Sequence, residues 1–190
     1  IMAPRFLASA FSAGPAFLVI VCLILRRTGR FDPGREAIQT LAKIITYGLI
    51  ATLFFLACEV FVVFYSGIPD HIQHFRYLYF GLDGHNTLVP WMWSSAVLAV
   101  VSLVLLLIPK FRKNEKILVW VCVAIFISIW IDKGLGMVVT GFIPTPLGKV
   151  VDYSPTVPEL FISLAIWAIG FFIITVFYKI TLSLRKELVT

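Results

Sequence analysis

Five long apolar stretches dominate the chain, at about residues 5–25, 41–65, 88–108, 117–139 and 157–178. Each reaches the roughly 20 residues that a helix needs to cross a hydrocarbon layer. None alternates polar and apolar positions with period two, which argues against the strands of a membrane barrel. Lipid offers no partner to an exposed backbone amide, and an α-helix satisfies its amides within one segment. The pattern therefore predicts an all-α integral membrane protein, with residues 1–190 forming a single transmembrane domain of five helices.

The polar positions between the spans carry an orientation signal. Arg26, Arg27, Arg30 and Arg35 follow the first span, Lys110, Arg112, Lys113 and Lys116 the third, and Lys179, Arg185 and Lys186 the fifth. The other two connections, Ser66–Thr87 and about Thr140–Thr156, hold only Arg76 and Lys149 against Asp70, Asp83 and Asp152. Basic loops stay on the cytoplasmic side, so the expected topology has the N-terminus outside and the C-terminus cytoplasmic. The two outer connections are rich in aromatic residues, proline and glycine. Tyr77, Tyr79 and Phe80 stand in one and Phe142, Pro144, Pro146 and Tyr153 in the other, with Trp91 and Trp93 just beyond the first. They suit both an interfacial aromatic belt and an outer docking face.

Composition agrees with a membrane protein. Apolar residues make up 60% of the 190 and charged residues 14%, against about a quarter charged in soluble domains. The net charge of +6 sits in the short basic loops, where it sets orientation, so nucleic acid is not an expected partner. Cys22, Cys58 and Cys122 all fall within apolar runs without ligand spacing, and read as small packing residues. The chain opens on Ile1 and then directly on apolar sequence. A signal peptide is not expected there, and a fragment of a larger membrane subunit is.

Within the first span, Ser9, Ala10, Ala13 and Gly14 give small-x-x-x-small spacing, which lets helix backbones approach. Pro15 predicts a kink or a broken hydrogen bond. Both features suggest a helix packed against protein.

Candidate chemistry rests on the ionisable residues at membrane depth, which are expensive there and mark function. Glu59 lies about seven residues from the outer end of the second span, roughly 10 Å deep at 1.5 Å per residue. Asp132 and Lys133 lie roughly 24 Å along the fourth span from its cytoplasmic end, which brings them to a similar depth. Two readings stay open: a structural ion pair, with Glu59 or Asp132 meeting Lys133, or a proton path through Glu59, Asp132 and Lys133. Either way Glu59 is expected to face the fourth span. Glu159 opens the fifth span and suits its helix dipole; Arg5, near the end of the first, reads as a side chain that snorkels to the interface. His71, His74 and His85 all lie in the first outer connection. With no histidine in a span, axial ligation of a transmembrane haem is not expected, and a metal site at His71 and His74 has weak support. No phosphate loop or nucleophile motif occurs.

Several segments resemble the NrfD / polysulfide-reductase membrane-subunit family, which includes the HybB, HmcC and DsrP subunits. They are Ala3-Pro4-Arg5-Phe6-Leu7-Ala8-Ser9-Ala10-Phe11 with Gly14, the second span with Glu59, and Ile143-Pro144-Thr145-Pro146-Leu147-Gly148 through Tyr153-Ser154-Pro155-Thr156 to Glu159. Trp130-Ile131-Asp132-Lys133-Gly134 resembles the DsrP and HmcC branch more than HybB. The resemblance implies the C-terminal half of a ten-helix subunit, folded as a four-helix bundle plus one flanking helix in the cytoplasmic (inner) membrane. It implies a non-catalytic or quinone-reactive subunit of an oxidoreductase complex in anaerobic respiration and sulfur metabolism. Such a subunit passes electrons between a menaquinone-type quinone pool and an extracytoplasmic iron–sulfur subunit, with multihaem cytochrome and further membrane subunits as partners. Quinone binds the other half in relatives, so this segment is expected to bind no cofactor of its own, and no quinone-contacting residue is assigned. The competing functions are half of a proton-coupled transporter and a purely structural membrane anchor.

Overall fold

A computed structural model describes residues 2–29, 32–82, 84–139, 150 and 156–189. The chain divides into two compact units, Ile1–Asp152 and Tyr153–Thr190. In the first unit, α1 spans Met2–Arg27, α2 Arg35–Ser66, α3 Pro69–Tyr79, α4 Val89–Leu107 and the short α5 Pro109–Arg112. Next, α6 spans Glu115–Ile131 and continues as a π-helix over Asp132–Val139. The second unit holds α7, Val157–Val189. Five helices are long and apolar enough to cross a membrane, and no strand occurs among the described residues. The expected spans agree to within about six residues with the stretches Met2–Arg27, Arg35–Ser66, Val89–Leu107, Glu115–Met137 and Val157–Thr181, the fourth continuing past α6 into the π-helix and α7 running on to Val189. The anticipated segment Thr140–Lys149, Arg30, Asp83 and Val151–Pro155 lie outside the described residues, and with them most of the family-like run from Ile143.

The four spanning helices of the first unit form an antiparallel bundle, in which α1 packs on α2 and α6, and α4 packs on α6 and α2. One periodicity explains the packing. The buried positions of α1 are Arg5, Ser9, Ser12, Ala16 and Val19, spaced alternately by four and three. On α2, Ile38, Ala42, Ile45, Leu49 and Thr52 are buried, and the same alternation leads on through Leu56 and Glu59 to buried Val63. Met92, Ser95, Ala99, Ser102 and Leu106 repeat it on α4. On α6, Leu118, Val121, Ile125 and Ser128 repeat it, and the next step is Asp132. A 3.5-residue repeat keeps one seam of each helix facing its partners, as in a coiled coil.

Small residues let these helices come close. A Cβ on Gly48 would stand 2.7 Å from Ser12 Oγ and 3.3 Å from the Phe11 carbonyl carbon, so α2 meets α1 through bare backbone there. The close approach uses Ser12 and Gly48, whereas Ala10 and Gly14, from the anticipated small-residue motif, lie on the exposed face of α1. Of the anticipated motif, Ser9 lies on the inward seam Arg5-Ser9-Ser12-Ala16 and Ala13 packs against the core, while Ala10 and Gly14 point away. Helix α1 continues through Pro15. Between α4 and α6 the Ser95 hydroxyl donates to the Ser128 carbonyl and the Ser128 hydroxyl to the Ser95 carbonyl, each at 2.8 Å. Serine pairs of this kind join helices where lipid offers no competing partner.

The outward faces carry large apolar side chains, among them Phe54 on α2, Val97, Val100 and Val104 on α4, and Trp120 on α6. So much exposed apolar surface is out of place in water and at home in hydrocarbon. In the second unit, Glu159 accepts a hydrogen bond of 2.7 Å from the Thr156 backbone N–H. That is the reciprocal half of a capping box, and it gives Glu159 the helix-start role read from its position.

Candidate functional site

Four charged side chains converge at the end of the bundle where α1 begins and α2 finishes. The Arg5 guanidinium forks between two helices: Nη1 donates to Glu59 Oε2 on α2, and Nη2 donates to Asp132 Oδ1 at the end of α6, at 2.5 Å. Lys133 Nζ stands 3.4 Å from the other oxygen of Asp132 and 5.5 Å from the centre of the Phe6 ring. Side-chain exposure is 10% for Arg5, 21% for Glu59, 16% for Asp132 and 18% for Lys133. Two positive and two negative charges therefore share one largely buried locus.

The helical register places them there. Arg5, Glu59 and Asp132 each continue the inward seam of their helix, so the same spacing that buries leucine and serine farther along turns these charges inward. The backbone also changes at this point, because the π-helical turns begin at Asp132. Such turns are uncommon and often lie at functional sites. Gly136 keeps them close to α4: a Cβ there would lie 3.0 Å from Met92 Cε.

Helix α3 covers this end. The sequence predicts an irregular connection here, but Pro69 opens a helix that buries Tyr77 and Leu78 against Leu88, Met92 and Ile131. Tyr77 thus turns into the bundle, and Tyr79 is half-buried against it. Tyr79 stacks on Phe75 and sets its ring edge-on to Trp93, whose Nε1–H donates to the Tyr79 carbonyl at 3.0 Å. Phe80, Trp91 and Trp93 remain at least half exposed. Phe142, Pro144, Pro146 and Tyr153 lie outside the described residues.

Under α3 lies a cavity of about 440 Å³. Arg5, Glu59, Asp132 and Lys133 line it together with His71, His74, Phe75 and Tyr79, and with Met2, Met92 and Met137. It is a mixed surface of charges, imidazoles and soft apolar groups. Tyr79 lies on α3, outside the spans, and its phenol is pushed up to about 12, first by burial and then by the charge of Asp132, with Arg5 pulling the other way. It therefore stays protonated at any physiological pH. Among the described residues no three histidine, cysteine, aspartate or glutamate side chains converge as a metal site.

The structure brings Glu59, Asp132 and Lys133 to one site and adds Arg5 to them. Arg5 does not snorkel to the interface: its side chain is nine-tenths buried and joins the other two helices. Glu59 turns inward as expected, but its ion pair is with Arg5 instead of Lys133, while Asp132 pairs with both cations. The depth argument for Glu59 and Asp132 agrees with this geometry, since one guanidinium reaches both. The missed signal was the alternation 5-9-12-16-19, which places Arg5 on the buried seam.

With the site described, the comparisons with known proteins add one decisive finding. Residues 1–134, which carry all of the cluster, match the family described as polysulphide reductase, NrfD. The chain belongs to the NrfD family. A search of curated proteins finds no matching relative. NrfD membership implies a multi-pass membrane subunit of a redox complex of the polysulphide-reductase type, and the family generally partners with iron–sulfur subunits. The match includes Arg5, Glu59, Asp132 and Lys133 and stops just past them, in the π-helical segment.

Proposed function

We propose that this NrfD chain is part of a membrane subunit that exchanges electrons between a menaquinone-type quinone pool and an attached iron–sulfur or cytochrome partner. In this reading the quinone is handled by a companion half of the subunit, and the chain supplies the second five of ten spans, most similar to the DsrP branch. The N-terminus lies outside and the C-terminus inside the cytoplasmic membrane, as the loop charges favour. The α3 end then faces outward, toward an extracytoplasmic iron–sulfur subunit, a multihaem cytochrome and further membrane subunits.

The part assigned to this half is a proton path through Glu59, Asp132 and Lys133, with Arg5 at its centre. The single observation that carries it is the Arg5 fork between Glu59 and Asp132 beside a cavity lined by charged and apolar side chains. Oxidation of a quinol releases two electrons and two protons, and the protons need a route distinct from the electrons. Charges buried in a membrane are costly unless they are paired or used. A paired cluster next to a cavity satisfies the first condition and permits the second.

Identifying the subunits that co-purify with the chain from membranes tests the electron-transfer reading. Iron–sulfur and multihaem cytochrome subunits are the expected partners. Isolation of the chain alone, with no redox partner and no effect of its deletion on quinol oxidation, would overturn it.

A further inference from the structure

Two histidines line the cavity that the charged cluster borders. His71 and His74 are three residues apart on α3 and share a helix face, and both line the cavity that also holds Glu59 and Asp132. His71 is exposed and His74 half-buried, so the pair is graded from solvent toward the interior. The other ionisable groups of the cavity are Arg5 from α1, Glu59 from α2, Asp132 and Lys133 from the end of α6, and Tyr79 from α3 itself. Arg5 does not release a proton in proteins, and Tyr79 holds its own up to about pH 12. An imidazole accepts a proton on one ring nitrogen and donates one from the other, which suits the two histidines to a relay. At about 30 Å³ for each water, the cavity has room for a hydrogen-bonded chain of them between the acids and α3.

We propose that His74 and then His71 form the proton port between the charged cluster and the aqueous phase at the α3 end of the bundle. The proposal rests on the proton-path reading of Glu59 and Asp132. In the outward direction, the O–H bond of a protonated Glu59 breaks and an N–H bond forms on neutral His74. The His74 imidazolium passes a proton to His71, which gives it to water, and Glu59 returns to the carboxylate paired with Arg5. One proton enters and one leaves, no electron moves, and the inward direction is the reverse.

The test uses the purified complex in proteoliposomes, driven by a short-chain quinol and an artificial electron acceptor, with proton movement read by a pH dye. Wild type, His71→Gln, His74→Gln, the double variant and Glu59→Gln are compared across pH, with and without imidazole in the bulk. The double variant should move protons more slowly by about tenfold or more, with a changed pH profile, and recover with imidazole. A double variant with the normal rate and profile beside a slowed Glu59→Gln overturns the port and leaves the path standing. Normal rates in Glu59→Gln as well overturn the path itself. Should the double variant fail to assemble, the single variants decide, and a normal pH profile in both overturns the port.

Discussion

The two ends of the bundle solve the same electrostatic problem under opposite conditions. At the Arg26 end, Arg26 pairs with Glu115 at 2.9 Å and with Asp32 at 3.5 Å, and Arg35 reaches Glu115 at 3.3 Å. These side chains are between 26% and 81% exposed, so water and salt screen them. The Gln39 amide closes that end by donating to the Arg112 carbonyl at 3.2 Å. At the Arg5 end the pairs are chemically alike, but they are largely buried, roofed by α3 and set beside a cavity. Exposed pairs of this kind contribute about 0–1 kcal/mol. Buried ones must overcome the desolvation of every charge, and losing one partner is far more damaging than losing the pair. Similar residues therefore fasten helices at both ends, screened by water at one and buried beside a cavity at the other.

The largest effect is expected from Arg5→Met, which leaves Glu59 and Asp132 without their shared cation. The loss should be about 3–5 kcal/mol, measured as unfolding of the detergent-solubilised complex. Replacing Glu59 and Asp132 by glutamine and asparagine in the same chain should recover part of it, since the uncompensated charges are then gone. A marginal effect of Arg5→Met alone would break the contrast between the ends. Next comes Gly48→Leu, which forces a side chain against Ser12 and the Phe11 backbone. It should destabilise α1 against α2 by about 1–3 kcal/mol, with Gly14→Leu, on the open face of α1, as the near-neutral control. The smallest effect belongs to Glu115→Gln at the exposed end. At most about 1 kcal/mol should be lost, and the loss should fade in high salt. A salt-independent effect as large as that of Arg5→Met would erase the distinction.

Much of this architecture is legible in the sequence, because long apolar runs have no other stable solution in lipid. Glu59 and Asp132 were recognisable as neighbours because rise per residue converts position into depth. Arg5 was not, because its nearness to a helix end made snorkelling the simple reading. Depth alone does not say which way a side chain points, and only the four-three alternation carries that information. The same lack of register information leaves the small-residue motif spread over Ser9, Ala10, Ala13 and Gly14, of which only Ser9 and Ala13 face inward, and gives no sign of the Ser12–Gly48 approach. Helix α3 escaped notice for another reason. Its residues are too polar for a span, and its inward Tyr77 and Leu78 gain meaning only once the bundle end they cover is known. The π-helical turns after Ile131 had no local signature, since Gly134 and Gly136 read equally well as an ordinary apolar helix.

The central claim is that the buried cluster, and not the exposed one, serves proton movement during quinol turnover. It is tested most directly by protons moved per electron in proteoliposomes holding the complex with Glu59→Gln, against Glu115→Gln and wild type. Normal proton movement is expected for Glu115→Gln, and for Glu59→Gln a proton yield reduced to that of quinol oxidation without the path, in a complex that still assembles. An assembled Glu59→Gln complex with a wild-type proton yield and turnover would contradict it.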